Sequence, residues 1–264
     1  VSGEPPATRI DLDLARRLHL ALTAGTGELF DVLQDPSPEV LRATLRNPQL
    51  SEEHLLALLK RRDLPEDLLK GIYQLERTAG SHRLKLALAQ NPGTPGPVVL
   101  AILPHLHLFE LLNLCILPGT TPDQRYAAER QIVQRLPTTE LGNKLTLGRR
   151  GPATLLAELL KGGEPMLVEA CLASPQLKEA ALLQFLNGPR ADAETISMIA
   201  RHPRWKTRPN LRLAILKNRR TPSVWFTLFL PQLPKTELSA LTVSPRLDAR
   251  QKQMVAEELK KRGH

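Results

Sequence analysis

The 264-residue chain holds 53 leucines, about one residue in five, against nine aromatic residues, 15 Gly, 23 Pro and two Cys. Strand-favouring residues are too thin for a β-sandwich or barrel, and 24% charged with 42% hydrophobic residues excludes a disordered tail. No apolar run approaches the roughly 18–20 residues needed to cross a bilayer, and the first ten residues lack a signal-peptide pattern, so the expectation is a cytoplasmic protein with a formal charge of +9.

Taken in chain order, leucines recur at three and four residues, as in Leu55, Leu56, Leu59 and then Leu64, Leu68, Leu69, Ile72. That spacing predicts helices near 11–23, 26–34, 38–46, 51–61, 64–75, 82–90, 95–103, 106–116 and 122–136. Adding 127 gives the expected helices of the second half, the last near 248–262. Most are too short to be stable alone and must bury a leucine stripe against neighbours. Between them stand Asn91-Pro92, Thr94-Pro95 and Thr221-Pro222. The expectation is that Asn closes a helix in the left-handed conformation. Thr and Pro then restart the chain as N-cap and first helical residue.

The offset of 127 comes from aligning the chain with itself. Residues 84–124 match 211–251 without a gap at 14 of 41 positions, including Asn91/Asn218, Thr94/Thr221, Pro95/Pro222, Glu110/Glu237 and Pro118/Pro245. Residues 41–59 match 168–186 at nine of 19. A weaker 44-residue period sets Asn47-Pro48 on Asn91-Pro92. The reading is an all-α protein formed by tandem duplication: a first copy at about 8–134, a second at about 135–264, and one continuous right-handed α-solenoid over 1–264 with roughly nine helix pairs.

The phrases LALAQNPGTP, LAILKNRRTP and LRNPQLSEEHLLALL resemble the leucine-rich repeat variant and HEAT-like helical repeats of bacterial proteins. That resemblance implies short antiparallel helix pairs and a curved surface for protein–protein interaction. One leucine-rich repeat variant type carries an iron–sulfur cluster on an amino-terminal cysteine group, which this sequence lacks. Some HEAT-like solenoids are DNA base-repair enzymes with Trp, Asp and Arg on a basic face. Here Trp205 lies in a stretch without acids, so that activity is only a distant third reading.

The charge is uneven. Residues 1–133 hold 14 Lys/Arg and 16 Asp/Glu, net −2, whereas residues 134–264 hold 22 and 11, net +11. Positions 195–236 contain nine basic residues and no acidic one. The candidate anion- or partner-binding residues are Arg201, Arg204, Trp205, Lys206, Arg208, Arg212, Lys217, Arg219 and Arg220. Clustered cations beside an indole suit a phosphate backbone or a single strand; the same cations equally suit an acidic protein or lipid headgroups. A purely structural reading stands beside these: Lys217, Arg219 and Arg220 complement a helix dipole, Trp225 matches Val98 as core, and Trp205 plugs an edge. A protein partner is the first expectation, an acidic one among the candidates, and nucleic acid the second; the oligomeric state is not legible.

No catalytic motif is present. The seven histidines form no metal site by spacing: His105 and His107 face apart, and Glu110, three after His107, reads as a surface or cap contact. Cys115 and Cys171 read as inert core thiols, and the glycines of TAGTGELF and LGRRGPATLL lie at turns between helices. The expectation is a non-catalytic scaffold without cofactor or metal.

Overall fold

A computed structural model describes residues 12–263. The start of the first copy near residue 8 and the amino-terminal residues read against a signal peptide lie outside the described residues. Those described form nineteen α-helices and three 3-10 turns, with no strand among them. No helix among them is long and apolar enough to cross a membrane. The chain divides into two compact units, one up to Ile132 and one from Val133.

In the first unit the helices are α1 Leu12–Thr23, α2 Leu29–Val32, α3 Pro38–Thr44, α4 Glu52–Leu58, α5 Glu66–Gln74, α6 Glu76–Gly80, α7 His82–Gln90, α8 Gly96–Ile102 and α9 Leu108–Ile116, followed by α10 Pro122–Arg135. In the second they are α11 Leu141–Arg150, α12 Ala153–Leu160, α13 Pro165–Leu172, α14 Glu179–Asn187, α15 Ala193–Arg201, α16 Pro209–Leu216, α17 Ser223–Phe229, α18 Lys235–Thr242 and α19 Ala249–Gly263. Several bounds differ by 127 at both ends: α5 and α15, α8 and α17, and the 3-10 turns Leu103–His105 and Leu230–Gln232. α6 was not anticipated, and its counterpart, residues 203–207, is a turn.

Within each unit a helix packs on the next but one as well as on its neighbour. α11, α13 and α15 form one row and α12, α14 and α16 another; in the first unit α1, α3 and α5 form one row and α2, α4 and α7 the other. This is helix packing compatible with a solenoid. The leucine stripes fill the space between rows: Leu55, Leu58, Leu68, Leu69 and Leu84 are fully buried, as are Leu147, Leu155, Leu182 and Leu238.

The helix-terminating residues do not work as the sequence suggests. No non-glycine residue among those described has a positive φ, and Asn91 is extended at φ −79° and ψ 124°. Its side chain does the work instead. Asn91 Nδ2 donates to the carbonyls of Leu59 and Arg61 at 2.9 and 2.7 Å, while Oδ1 accepts the Gly93 amide at 2.9 Å. Asn47 makes the same set with Ala21, Ala24 and the Gln49 amide, and Asn218 makes two of the three bonds, to the Leu186 carbonyl and from the Arg220 amide. Helix-end carbonyls have no partner within their own helix, so each of these Asn side chains satisfies carbonyls of the preceding repeat. Thr94 and Thr221 likewise bond backward, to the carbonyls of Leu88 and Ile215 at 2.6 and 2.5 Å. Helices α8 and α17 therefore start one residue later than expected, with Pro95 and Pro222 as their N-caps.

Other side chains reach carbonyls of the preceding repeat in the same way. Arg61 donates to Leu33 and Asp35, Gln124 to Asn91, Gln251 to Arg219, and Arg262 to Leu230 and Leu233. His54, fully buried, contacts the Thr26 carbonyl through Nε2 at 2.8 Å. A carbonyl only accepts, so that nitrogen carries the proton.

Candidate binding grooves

The basic window of the second unit divides by what each cation already holds. The Arg204 guanidinium donates to the carbonyls of Ser174, Leu177 and Pro175 at 3.0, 2.8 and 3.3 Å, and lies 4.3 Å from the centre of the Trp205 ring. Trp205 is 3% exposed and its Nε1 is buried without a hydrogen-bond partner. A buried ring covered by its neighbour's guanidinium has no face left for a nucleobase. Trp225 is buried too, as its match to Val98 predicts, and donates from Nε1 to Ser197 Oγ at 2.9 Å.

Arg220 donates to the carbonyls of Pro189 and Ala191 at 2.6 and 3.2 Å. Arg212 donates from Nε to Lys206 O at 2.7 Å and lies 5.6 Å from the Phe229 ring centre, while Arg201 reaches Ser197 O at 3.2 Å. Arg208 is 4.0 Å from Glu179. That leaves Lys206, Lys217, Arg219 and Lys235, whose side chains hold no hydrogen-bond or ion-pair partner among the described residues.

These cations gather in two places. Arg201, Lys206 and Arg212 border a hollow of about 300 Å³ beside Trp225 and Phe229. Lys217, Arg219 and Arg220 line a groove of about 400 Å³ together with Asn187, Asn218 and Arg246, and no acidic residue lines it. Arg204, Trp205 and Arg208 line neither. Arg246, which donates to Asn187 Oδ1 at 2.9 Å, was not among the sequence candidates. It stands outside the basic window, but the Pro118/Pro245 match beside it marks the position.

The first unit has a groove of about 620 Å³ at matching positions: Leu59, Lys60, Arg62, Gln90, Asn91 and Pro92 line it. Their partners at the 127-residue offset, Leu186, Asn187, Pro189, Lys217, Asn218 and Arg219, line the groove of the second unit. The linings differ in chemistry. The first adds Phe30, Leu56, Leu86 and Glu53, so it is part apolar and of mixed charge, whereas the second is cationic.

The remaining reactive groups are quiet. Burial pushes the thiols of Cys115 and Cys171 up to about 12, so neither is a nucleophile near neutral pH. Burial also pushes His202 down, in the same direction as the nearby Arg204 charge. One trio among the described residues, His82, His107 and Glu110 in the first unit, brings three metal-ligating atoms within 4.8 Å of one another.

Fold and grooves together define an all-α protein of stacked short helices with a cationic, solvent-open groove in its second unit. No protein-family profile matches the chain, and no curated protein or solved structure matches it either.

Proposed function

We propose that the chain is a non-catalytic binding scaffold that holds an acidic protein segment along the groove of its second unit. In this reading it is an α-solenoid of the HEAT-like or leucine-rich repeat variant kind, built by tandem duplication. The helix bounds repeating at 127 residues and the shared Asn91/Asn218 bonding support the duplication. The observation that carries the function is the pair of grooves at matching positions, of which only the second is lined by Lys217, Arg219, Arg220 and Arg246 without an acid. Lys217 and Arg219 make no side-chain hydrogen bond or ion pair among the described residues, so their charge is available to a partner. An open groove of this kind fits an extended carboxylate-bearing chain better than a small molecule, which needs an enclosed pocket. The two buried tryptophans weigh against a single strand, whose affinity draws on base stacking.

Fluorescence anisotropy with a labelled polyglutamate peptide and a labelled single-stranded oligonucleotide tests this. The peptide should bind and weaken as salt rises. Reversing Lys217 and Arg219 to Glu should weaken it by about tenfold or more, while Lys60→Glu in the first unit should leave it unchanged. Absence of peptide binding at low salt overturns the proposal, and tighter binding of the oligonucleotide assigns the groove to nucleic acid instead.

A further inference from the structure

His82 is the first residue of α7, His107 the N-cap of α9, and Glu110 lies in the first turn of α9. α7 and α9 pack against each other, so side chains 28 residues apart in sequence meet. His82 Nε2 is 2.8 Å from both Glu110 carboxylate oxygens, and Glu110 Oε2 accepts the His107 amide at 2.7 Å. The two imidazole rings lie 4.6 Å apart between centres. The cap contact that the sequence suggests is thus present, with a second histidine added to it.

We propose that His82, His107 and Glu110 form a binding site for a divalent first-row transition metal of the zinc type. Two imidazoles and a carboxylate are the donor set this class of ion takes. In a tetrahedral site with bonds of about 2.0–2.1 Å, donor atoms stand roughly 3.4 Å apart. Atoms already within 4.8 Å of one another reach that spacing by small side-chain rotations. His82 and Glu110 are half-buried and His107 is exposed, so an ion can enter and a water can take the fourth position. His82 binds through Nε2 once its ring proton moves to Nδ1, and the Glu110 carboxylate supplies the negative charge.

The second unit provides an internal comparison. At the positions 127 residues on stand Pro209, Pro234 and Glu237, so the carboxylate recurs and both imidazoles are gone. One Glu237 oxygen is buried without a hydrogen-bond partner. The metal site therefore belongs to the first unit alone, where it would pin α7 to α9.

Titration of the full chain with Co²⁺, followed by visible absorption, measures the site directly. One equivalent should give tetrahedral d–d bands that Zn²⁺ abolishes, and Zn²⁺ should raise Tm in a concentration-dependent way that a chelator reverses. His82→Asn and His107→Asn should each weaken binding by about tenfold or more, and Glu110→Gln should remove the tetrahedral spectrum. His105→Asn, an exposed histidine outside the trio, should bind like wild type. No Co²⁺ bands and no Zn²⁺ effect on wild-type Tm overturn the site, as does full binding by the His82/His107 double variant.

Discussion

Asn91 makes three hydrogen bonds with one small side chain: two to carbonyls of the preceding repeat and one from an amide two residues on. It is 3% exposed, so none of those groups falls back on water once the side chain is gone. Asn91→Ala should therefore cost about 2–3 kcal/mol, read as a lower urea midpoint at constant slope. Asn91→Asp should cost more, because it sets a carboxylate against two carbonyl oxygens. The Asn-Pro pair was visible in the sequence; its role was not. A left-handed helix end is a local property that residue type suggests, whereas the carbonyls Asn91 serves lie 30 and 32 residues upstream. The same holds for the arginines: composition gives their charge, but only packing shows that Arg204 and Arg220 spend theirs on carbonyls of an earlier turn.

Helices α5 and α15 illustrate what periodicity does reveal. Their spans, Glu66–Gln74 and Ala193–Arg201, match in length and register, and both lie inside the predicted segments, because an apolar stripe at three and four residues admits one solution. α6 has five residues and no such stripe, so nothing in the pattern marks it. At its centre Thr78 is buried and donates to Ile72 O, while the equivalent position in the second unit is Trp205. Start signals are clearer where a side chain caps directly. Asp192 accepts the Thr195 amide at 2.8 Å at the start of α15. That amide is the chief reason its carboxyl sits below the ordinary range. A depressed carboxyl stabilises the fold above the unfolded-state pKa and loses that contribution as pH falls through the folded value. Asp192→Ala should cost about 1 kcal/mol at neutral pH, and the gap from wild type should close below about pH 4. Thermal unfolding across pH measures both.

For the molecule as a whole, the net charges of −2 and +11 counted over the two halves overstate what a partner meets. Four of the nine cations in the basic window, Arg201, Arg204, Arg212 and Arg220, bond carbonyls, and Arg208 faces Glu179. The groove could not be foreseen because it gathers Asn187, Lys217, Arg219 and Arg246 from three successive turns. Nor could the metal trio, since His82 joins Glu110 only through the packing of α7 on α9. The carbonyl ties carry one more consequence. In every side chain-to-carbonyl tie between repeats described above, the donor lies downstream of its acceptor: Asn47 on Ala21, Arg61 on Leu33, Arg220 on Pro189, Arg262 on Leu230. The influence of a substitution should therefore run backward along the chain. Arg262→Ala should speed amide hydrogen exchange in the Leu230–Gln232 turn and at Leu233 while leaving the turn at Asn218–Thr221 protected. The architecture thus has a polarity: these turns are sealed by the repeat that follows them, and a growing chain gains those bonds only after the successor has been made.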